Sequence, residues 1–385
     1  MDQYQIPTVM DKQLDVLHCH ADGGLLLGAS CLTGRYWLGS LWFYQNPRAA
    51  PDVDRCTAGV QLEAGVGDAG WVDATHVLVG LDTGGVALWQ LEDDYHTFVL
   101  SQAAQGHDHV VSSVSVLSDH SKAASSGHDR CIKLWDLPTV SLLYSAQAHL
   151  DTVTSIDCHP SEPDLFISCG QDDRILLWDK RKPKPASLLN KSPLQNTATC
   201  VRWQPGQTHK LALGSESGQL AILDTRVGVE NYLTARPHQR PVYNMQFCPS
   251  KPSLLASVGE DCRTVVTSLQ EDSLKQEYLD ITHTDFVHGV AWSSDSELYT
   301  CGWDAKVLSH DLTRGVATSL GQAVDGSSTV QMNGDVVENG VDARDLLGAG
   351  DGSEGKSDQS TSSPCKSPSY SQAVKTSSQE ITAEG

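Results

Sequence analysis

Between Leu14 and Leu312 the chain is built from strand-length runs of apolar and β-branched residues broken by turn residues, with no long stretch of helical period. One unit shows the pattern: "TVTSIDCH", "DLFISCG", a "QDD" turn, "RILLWD", and then "KPASLLN". Runs of this length at even spacing predict an all-β chain.

The runs repeat. "GHDRCIKLWDL" (127–137) and "GQDDRILLWDK" (170–180) both end on Trp-Asp, and the same slot falls at Trp42, Trp89, Trp135, Trp178, Leu223, Thr267 and His310, with gaps of 43 to 47 residues. That is about the period of a four-stranded propeller blade. Seven slots predict seven blades.

In four units a His stands well ahead of the slot, at His107, His149, His238 and His283, each followed four residues later by Val. An Asp lies six residues before the slot in the same units (Asp129, Asp172, Asp261, Asp304), at the turn joining two strands, and a hydroxyl lies four earlier still (Ser125, Ser168, Ser257, Thr300). His, Ser or Thr, Asp and Trp at these positions predict a buried hydrogen-bond chain within each blade, each polar group satisfied by the next. This resembles the WD-repeat family, whose tetrads (here His107, Ser125, Asp129, Trp135 and His149, Ser168, Asp172, Trp178) are structural. A His-Ser-Asp set also evokes a hydrolase triad, but a nucleophile must be exposed beside an oxyanion site, and a set that recurs in four units and ends on Trp is a stabilising network. The fold class expected is therefore a seven-bladed WD-repeat β-propeller.

Unit five has lost the pattern, and units one and two lack the His. Divergent blades still close a ring through nearest-neighbour burial. The last unit ends near Leu312 after three strands, and the architecture of the family implies that its outer strand comes from the N-terminus, around residues 3–9. The propeller is expected over residues 1–312. Residues 313–385, rich in Gly, Ser and Asp and poor in aromatics, are expected to be a disordered acidic tail. Within it Ser363-Pro364 and Ser367-Pro368 are candidate phosphorylation sites for proline-directed kinases.

Charge narrows the partners. The chain carries 27 Lys plus Arg against 48 Asp plus Glu, a formal net charge of -21. The tail holds 5 and 10 of these, so the propeller keeps 22 basic and 38 acidic residues, a net of -16. Such a surface repels phosphate backbones and attracts Arg-rich chains, which argues against direct nucleic-acid binding and for a cationic partner. Eleven scattered Cys without a C-x-x-C pair, together with an N-terminus unlike a signal peptide, predict reduced thiols in cytosol or nucleus. No apolar run reaches the length of a membrane span.

Little else suggests chemistry. "HCH" (18–20) with Cys158-His159 is the one cluster of metal-ligand residue types, and partner spacing is missing, so no metal is expected. "GLDTGG" (80–85) reads as a strand-to-strand turn, not a phosphate cradle, and no cofactor is expected. Three aromatics stand out instead. Trp37, in "TGRYWLGSLWFY", lies five before its slot, just past the turn, where other blades carry Arg130, Asp173, Cys262 or Ala305. Phe286 lies in the loop entering the last unit, and Trp303 precedes its turn Asp. Blades one and seven meet when the ring closes, so Trp37, Phe286 and Trp303, with Arg35 at the edge, form a candidate exposed docking patch.

"LLLGASCLTGRYWLGSLWFYQNPRAAP", "AGVQLEAGVGDAGWV" and "DDRILLWDKRKPKPAS" resemble the family of methylosome WD-repeat subunits, over roughly residues 14–312. The tail departs from that family, and nothing carries over to it. The resemblance implies a non-catalytic adaptor that docks on the arginine methyltransferase making symmetric dimethylarginine. It implies a hetero-oligomer, presentation of Arg-rich substrates such as Sm proteins and histones, and residence in cytoplasm and nucleus. "GRYW" matches the family's GRxW element, which implies Arg35 and Trp37 as docking contacts. "ISCGQDDRILLWDKR" (167–181) also resembles the WD-x-R box of cullin-ligase substrate receptors, with Arg181 as the contact and Arg226 in the next unit, which is the alternative reading.

Overall fold

The computed structural model describes residues 6–33, 36–189, 194, 196–226 and 232–314. Seven antiparallel sheets follow one another along the chain. Blade one is β1 (Gln13–Cys19), β2 (Leu25–Thr33), β3 (Tyr36–Tyr44) and β4 (Ala58–Leu62). Blade two is β5 (Val66–Trp71), β6 (His76–Leu81), β7 (Gly85–Glu92) and β8 (Thr97–Gln105); blade three is β9 (Val111–Val116), β10 (Lys122–Gly127), β11 (Cys131–Asp136) and β12 (Ser141–Gln147). Blade four is β13 (Val153–Cys158), β14 (Leu165–Gly170), β15 (Ile175–Asp179) and β16 (Pro185–Leu188); blade five is β17 (Ala198–Trp203), β18 (Lys210–Ser215), β19 (Leu220–Asp224) and β20 (Tyr232–Ala235). Blade six is β21 (Val242–Phe247), β22 (Leu254–Gly259), β23 (Thr264–Leu269) and β24 (Leu274–Asp280). Blade seven has three strands among the described residues, β25 (Val287–Trp292), β26 (Glu297–Gly302) and β27 (Val307–Asp311). The innermost strand of each blade packs on that of the next, and β1 packs on β25, so the ring closes.

The pattern produces the blades because both faces of each sheet are covered by neighbours. Apolar side chains therefore fill the interfaces between blades rather than one central core. Val77, Val79 and Trp89 of blade two pack with Leu26, Leu41 and Phe43 of blade one, and Phe166 and Trp178 of blade four pack with Leu134 and Ile156. Phe166 and Trp178 stack with ring centroids 5.7 Å apart. Fully burying such a side chain contributes about 1.5–3 kcal/mol, which explains why divergent slots such as Leu223, buried at 4% exposure, still hold a blade together.

Each inner strand carries a β-bulge at the same place, where one residue drops out of the ladder: Asp15, Gly67, Ser112, Thr154, Thr199, Tyr243 and His288. A bulge bends the strand and re-aims the extra residue. Here it is used between blades. The Ser112 hydroxyl donates to Val153 O at 2.6 Å, Thr154 to Ala198 O at 3.0 Å and Thr199 to Val242 O at 2.6 Å. Tyr243 stacks on His288 at 3.6 Å, and His288 Nδ1 lies 2.9 Å from Asp15 of the first blade.

The N-terminal strand expected around residues 3–9 to complete blade seven is not formed by residues 6–9, and residues 3–5 lie outside the described set. Ile6 instead packs beside Gly59 of β4. The expected disordered tail, including Ser363 and Ser367, lies outside the described residues beyond the short 3-10 turn Leu312–Arg314.

Candidate functional site

The tetrads assemble as the spacing predicts. In blade three His107 Nδ1 meets the Asp129 carboxylate at 2.9 Å and Nε2 meets the Ser125 hydroxyl at 2.7 Å, while Trp135 Nε1 donates to that hydroxyl at 2.8 Å. Blade four repeats it with His149, Asp172, Ser168 and Trp178 at 2.8–2.9 Å. Burial alone would raise the Asp129 carboxyl; the His107 hydrogen bond and charge, with the amides of Cys131 and Asp108, hold it below the usual range. Burial pushes the His149 imidazole down, despite its Asp172 partner. Ser125 and Ser168 are fully buried, and each hydroxyl is already shared by a His and a Trp. The network tightens the blade rather than presenting a nucleophile. Blade one uses a different chain, Trp42 Nε1 to Ser40 at 2.9 Å and Ser40 to Asp11 at 2.8 Å, which substitutes for the missing His.

In six blades the hairpin between the second and third strands makes its last rung three residues before the slot and turns through a left-handed residue: Gly84, Arg130, Asp173, Gly218, Cys262 or Ala305. Only glycine adopts such a φ without strain, and at Gly84 a Cβ would also lie 2.1 Å from His107 O. Blade one does not turn there. Past Ser30↔Gly39 its ladder continues through Cys31↔Leu38, Leu32↔Trp37 and Thr33↔Tyr36. β1 begins opposite Ser30 and β4 ends opposite Gly39, so the extra rungs have no third strand beside them. Three rungs at about 3.3 Å each carry a two-stranded ribbon roughly 10 Å beyond the other turns. Trp37 therefore lies inside an extended strand, not just past a turn as its spacing suggested. Arg35 lies outside the described residues, as does the side chain of Trp37.

The aromatic patch needs correction at Phe286. Its ring is fully buried, with the Arg240 guanidinium over it at 5.1 Å and Trp303 at 5.6 Å, so it offers no docking surface. Trp303 is half-buried and donates from Nε1 to Asp15 at 2.8 Å, while its ring packs on His288 at 4.9 Å. Asp15, His288 and Trp303 join the first blade to the last. A loop position alone could not reveal this, because the partner residue lies at the other end of the chain.

The remaining candidates have structural partners. His20 Nε2 meets Ala74 O at 2.8 Å and His159 Nε2 meets Thr208 O at 3.0 Å, each bridging to the next blade, while burial pushes the His18 imidazole down. Arg181 donates to both oxygens of Asp179, at 2.8 and 2.6 Å, and Arg226 binds Asp224 in the same way at 3.0 and 2.6 Å. This is a repeated Asp-x-Arg turn, which holds Asp179 at about 2 through the Arg181 hydrogen bond. Along the axis a cavity of about 260 Å³ is lined by Asp68, Arg202, Glu216 and Glu260 among others. Arg202 spans it by donating to Ser155 at 3.0 Å and Asn244 at 2.8 Å.

The WD domain, G-beta repeat model matches residues 98–136, 140–179 and 275–311. The methylosome protein WDR77 of Xenopus laevis is 38% identical over 308 residues, 80% of this chain and 91% of that protein. The chain belongs to the family of methylosome WD-repeat proteins. The DDB1- and CUL4-associated factor 13 of Xenopus laevis is 26% identical over 176 residues, 45% of this chain and 38% of that protein. Among solved structures, a chain in a crystal structure of the mitotic checkpoint complex superposes with a TM-score of 0.64 at 17% identity, over 80% of this chain and 93% of that one, which shows the shared propeller fold. Within this chain, the element that sets blade one apart from the other six is the ribbon whose hairpin sequence includes "GRYW".

Proposed function

We propose that this protein is a non-catalytic adaptor that binds a protein arginine methyltransferase through the blade-one ribbon and presents Arg-rich substrates to it for symmetric dimethylation. The observation that carries the reading is the free ribbon, three rungs longer than its counterparts, that bears Arg35 and Trp37 in a chain 38% identical to a methylosome WD-repeat protein. A ribbon standing clear of its blade can insert into a partner, and Trp and Arg dominate binding hot spots. The propeller's net charge of -16 supports the second half of the proposal, since an acidic surface draws Arg-rich chains such as Sm proteins and histone tails, more strongly at low salt. Catalysis belongs to the partner in this reading, and the assembly works in cytoplasm and nucleus.

Affinity purification of the tagged full chain from cells, followed by mass spectrometry, tests it. A stoichiometric arginine methyltransferase is expected. A cullin adaptor in its place, lost on Arg181→Ala, would instead establish the ligase-receptor reading. That alternative draws little support from Arg181, whose guanidinium is held by its own turn Asp in the pose Arg226 repeats.

A further inference from the structure

The cavity on the propeller axis offers hydrogen-bond acceptors to whatever enters it. Ser112, Thr154 and Thr199, the bulge residues of three consecutive blades, all line it, and each gives its hydroxyl hydrogen to a carbonyl: Val153 O, Ala198 O and Val242 O. A hydroxyl has one hydrogen and two lone pairs, so what these three leave over is acceptor capacity. The carboxylates of Asp15, Asp68, Glu216 and Glu260 share the lining. Arg202 closes the floor. Its N–H groups go to Ser155, Val201 O and Asn244, at 3.0, 2.8 and 2.8 Å, and its charge acts on Asp157.

The mouth lies on the face of the hairpins between second and third strands. Glu216 and Glu260 follow directly on the ends of β18 and β22, Glu216 exposed and Glu260 buried, and Glu260 accepts from Arg240 at 3.3 Å. Burial and the neighbouring Glu216 both act against the charged form of Glu260, and Arg240 opposes them without cancelling them. The pair is short of positive charge. At about 260 Å³ the cavity falls below the roughly 300–1,000 Å³ of small-molecule pockets, which leaves room for one long side chain rather than a whole ligand. A guanidinium carries five N–H donors in a flat fork and no acceptor, so it matches carboxylates and hydroxyls spread over several blades better than a point-like ammonium does.

We propose that the hairpin-face mouth of the axial cavity takes a single arginine side chain from an Arg-rich peptide, with Glu216 and Glu260 as its carboxylate partners and the bulge hydroxyls as further acceptors. This deepens the proposed function and rests on its reading that Arg-rich chains are what the propeller presents. The blade-one ribbon belongs to the same set of hairpins, so a peptide held at the mouth lies on the face from which the ribbon projects.

Fluorescence anisotropy of a labelled Gly-Arg repeat peptide, titrated with the full chain alone at moderate salt, tests the proposal. The double variant Glu216→Gln/Glu260→Gln should bind at least about tenfold more weakly, since hydrogen bonds to charged groups are the strong ones. Asp93→Asn/Asp94→Asn removes the same charge from the β7–β8 turn at the opposite face, at two left-handed positions that Asn tolerates, and should change binding by less than about twofold. Glu216→Gln alone, at an exposed position, should already weaken binding about threefold, which keeps the test valid if the double variant does not fold. A Gly-Lys peptide should bind the unmodified chain more weakly than the Gly-Arg one. Equal losses in the Glu and Asp variants, a Lys peptide bound as tightly as the Arg peptide, or no binding by the unmodified chain would each overturn the cavity site. None of these touches the adaptor reading, which fails separately if no arginine methyltransferase co-purifies with the chain.

Discussion

His310 Nε2 lies 2.8 Å from the Thr300 hydroxyl, at the point where Trp135 and Trp178 donate to Ser125 and Ser168. Thr300 in turn meets His283 at 2.9 Å, and His310 Nδ1 meets the Tyr278 hydroxyl of blade six at 3.0 Å. The last blade thus keeps its hydrogen-bond chain with an imidazole in place of an indole, and extends it by one link into its neighbour. Burial pushes His310 down to about 4, so the neutral ring is the one that fits. His310→Phe keeps the ring volume but leaves Thr300 and Tyr278 short of a partner. A loss of about 1–3 kcal/mol is expected in urea unfolding monitored by tryptophan fluorescence, with the slope unchanged.

The bulge latches should behave as inter-blade bonds. Thr154→Val keeps shape and removes the donor to Ala198 O. The expected cost is about 1–2 kcal/mol, and a double variant with Thr199→Val, the residue that follows the Ala198 carbonyl bonded by Thr154, should depart measurably from the sum of the two, because neighbouring sites couple. Midpoints from denaturant titration check this. No change in either single variant would show that the latches are incidental.

Glu260 gives a pH signature. It is 5% exposed, and burial raises its carboxyl to about 7 against the opposing Arg240 guanidinium, with Glu216 adding to the rise. A carboxyl whose folded pKa exceeds its unfolded value makes the fold bind the proton more tightly. Its ionised form therefore weakens the fold above pH 7, and the penalty fades as pH falls toward the unfolded value near 4.3. Glu260→Gln should stabilise the protein by about 2 kcal/mol at pH 8, and by much less at pH 5. Thermal melts of both proteins across that range measure the difference.

Much of this was legible because a repeat writes each signal several times. Seven slots at 43 to 47 residues located the blades, and the four His-Ser/Thr-Asp sets fell into the geometry their spacing required. What was not legible depends on residues distant in the chain or on departures from the repeat. Phe286 and Trp303 looked like free loop aromatics, but ring closure brings Asp15 of β1 onto Trp303, and the preceding blade six lays Arg240 over Phe286. The blade-one ribbon left a weak trace. Tyr36 and Trp37 occupy positions where other blades have a turn Asp and a left-handed residue, a sign that this hairpin does not turn there. Asp11 as the end of the blade-one hydrogen-bond chain left none, since it precedes the first strand.

The central claim is that the blade-one ribbon docks the propeller on an arginine methyltransferase. The most direct measurement is a binding titration of the full chain against the purified methyltransferase that makes symmetric dimethylarginine, with Trp37→Ala and Arg35→Ala alongside and the melting temperature of each recorded. Loss of a hot-spot Trp costs about 2 kcal/mol or more. The account predicts at least about thirtyfold weaker binding for Trp37→Ala and an unchanged melt, because the extra rungs lie beyond the ends of β1 and β4 in the blade-one ladder. Equal affinity for both variants and the unmodified protein would contradict it.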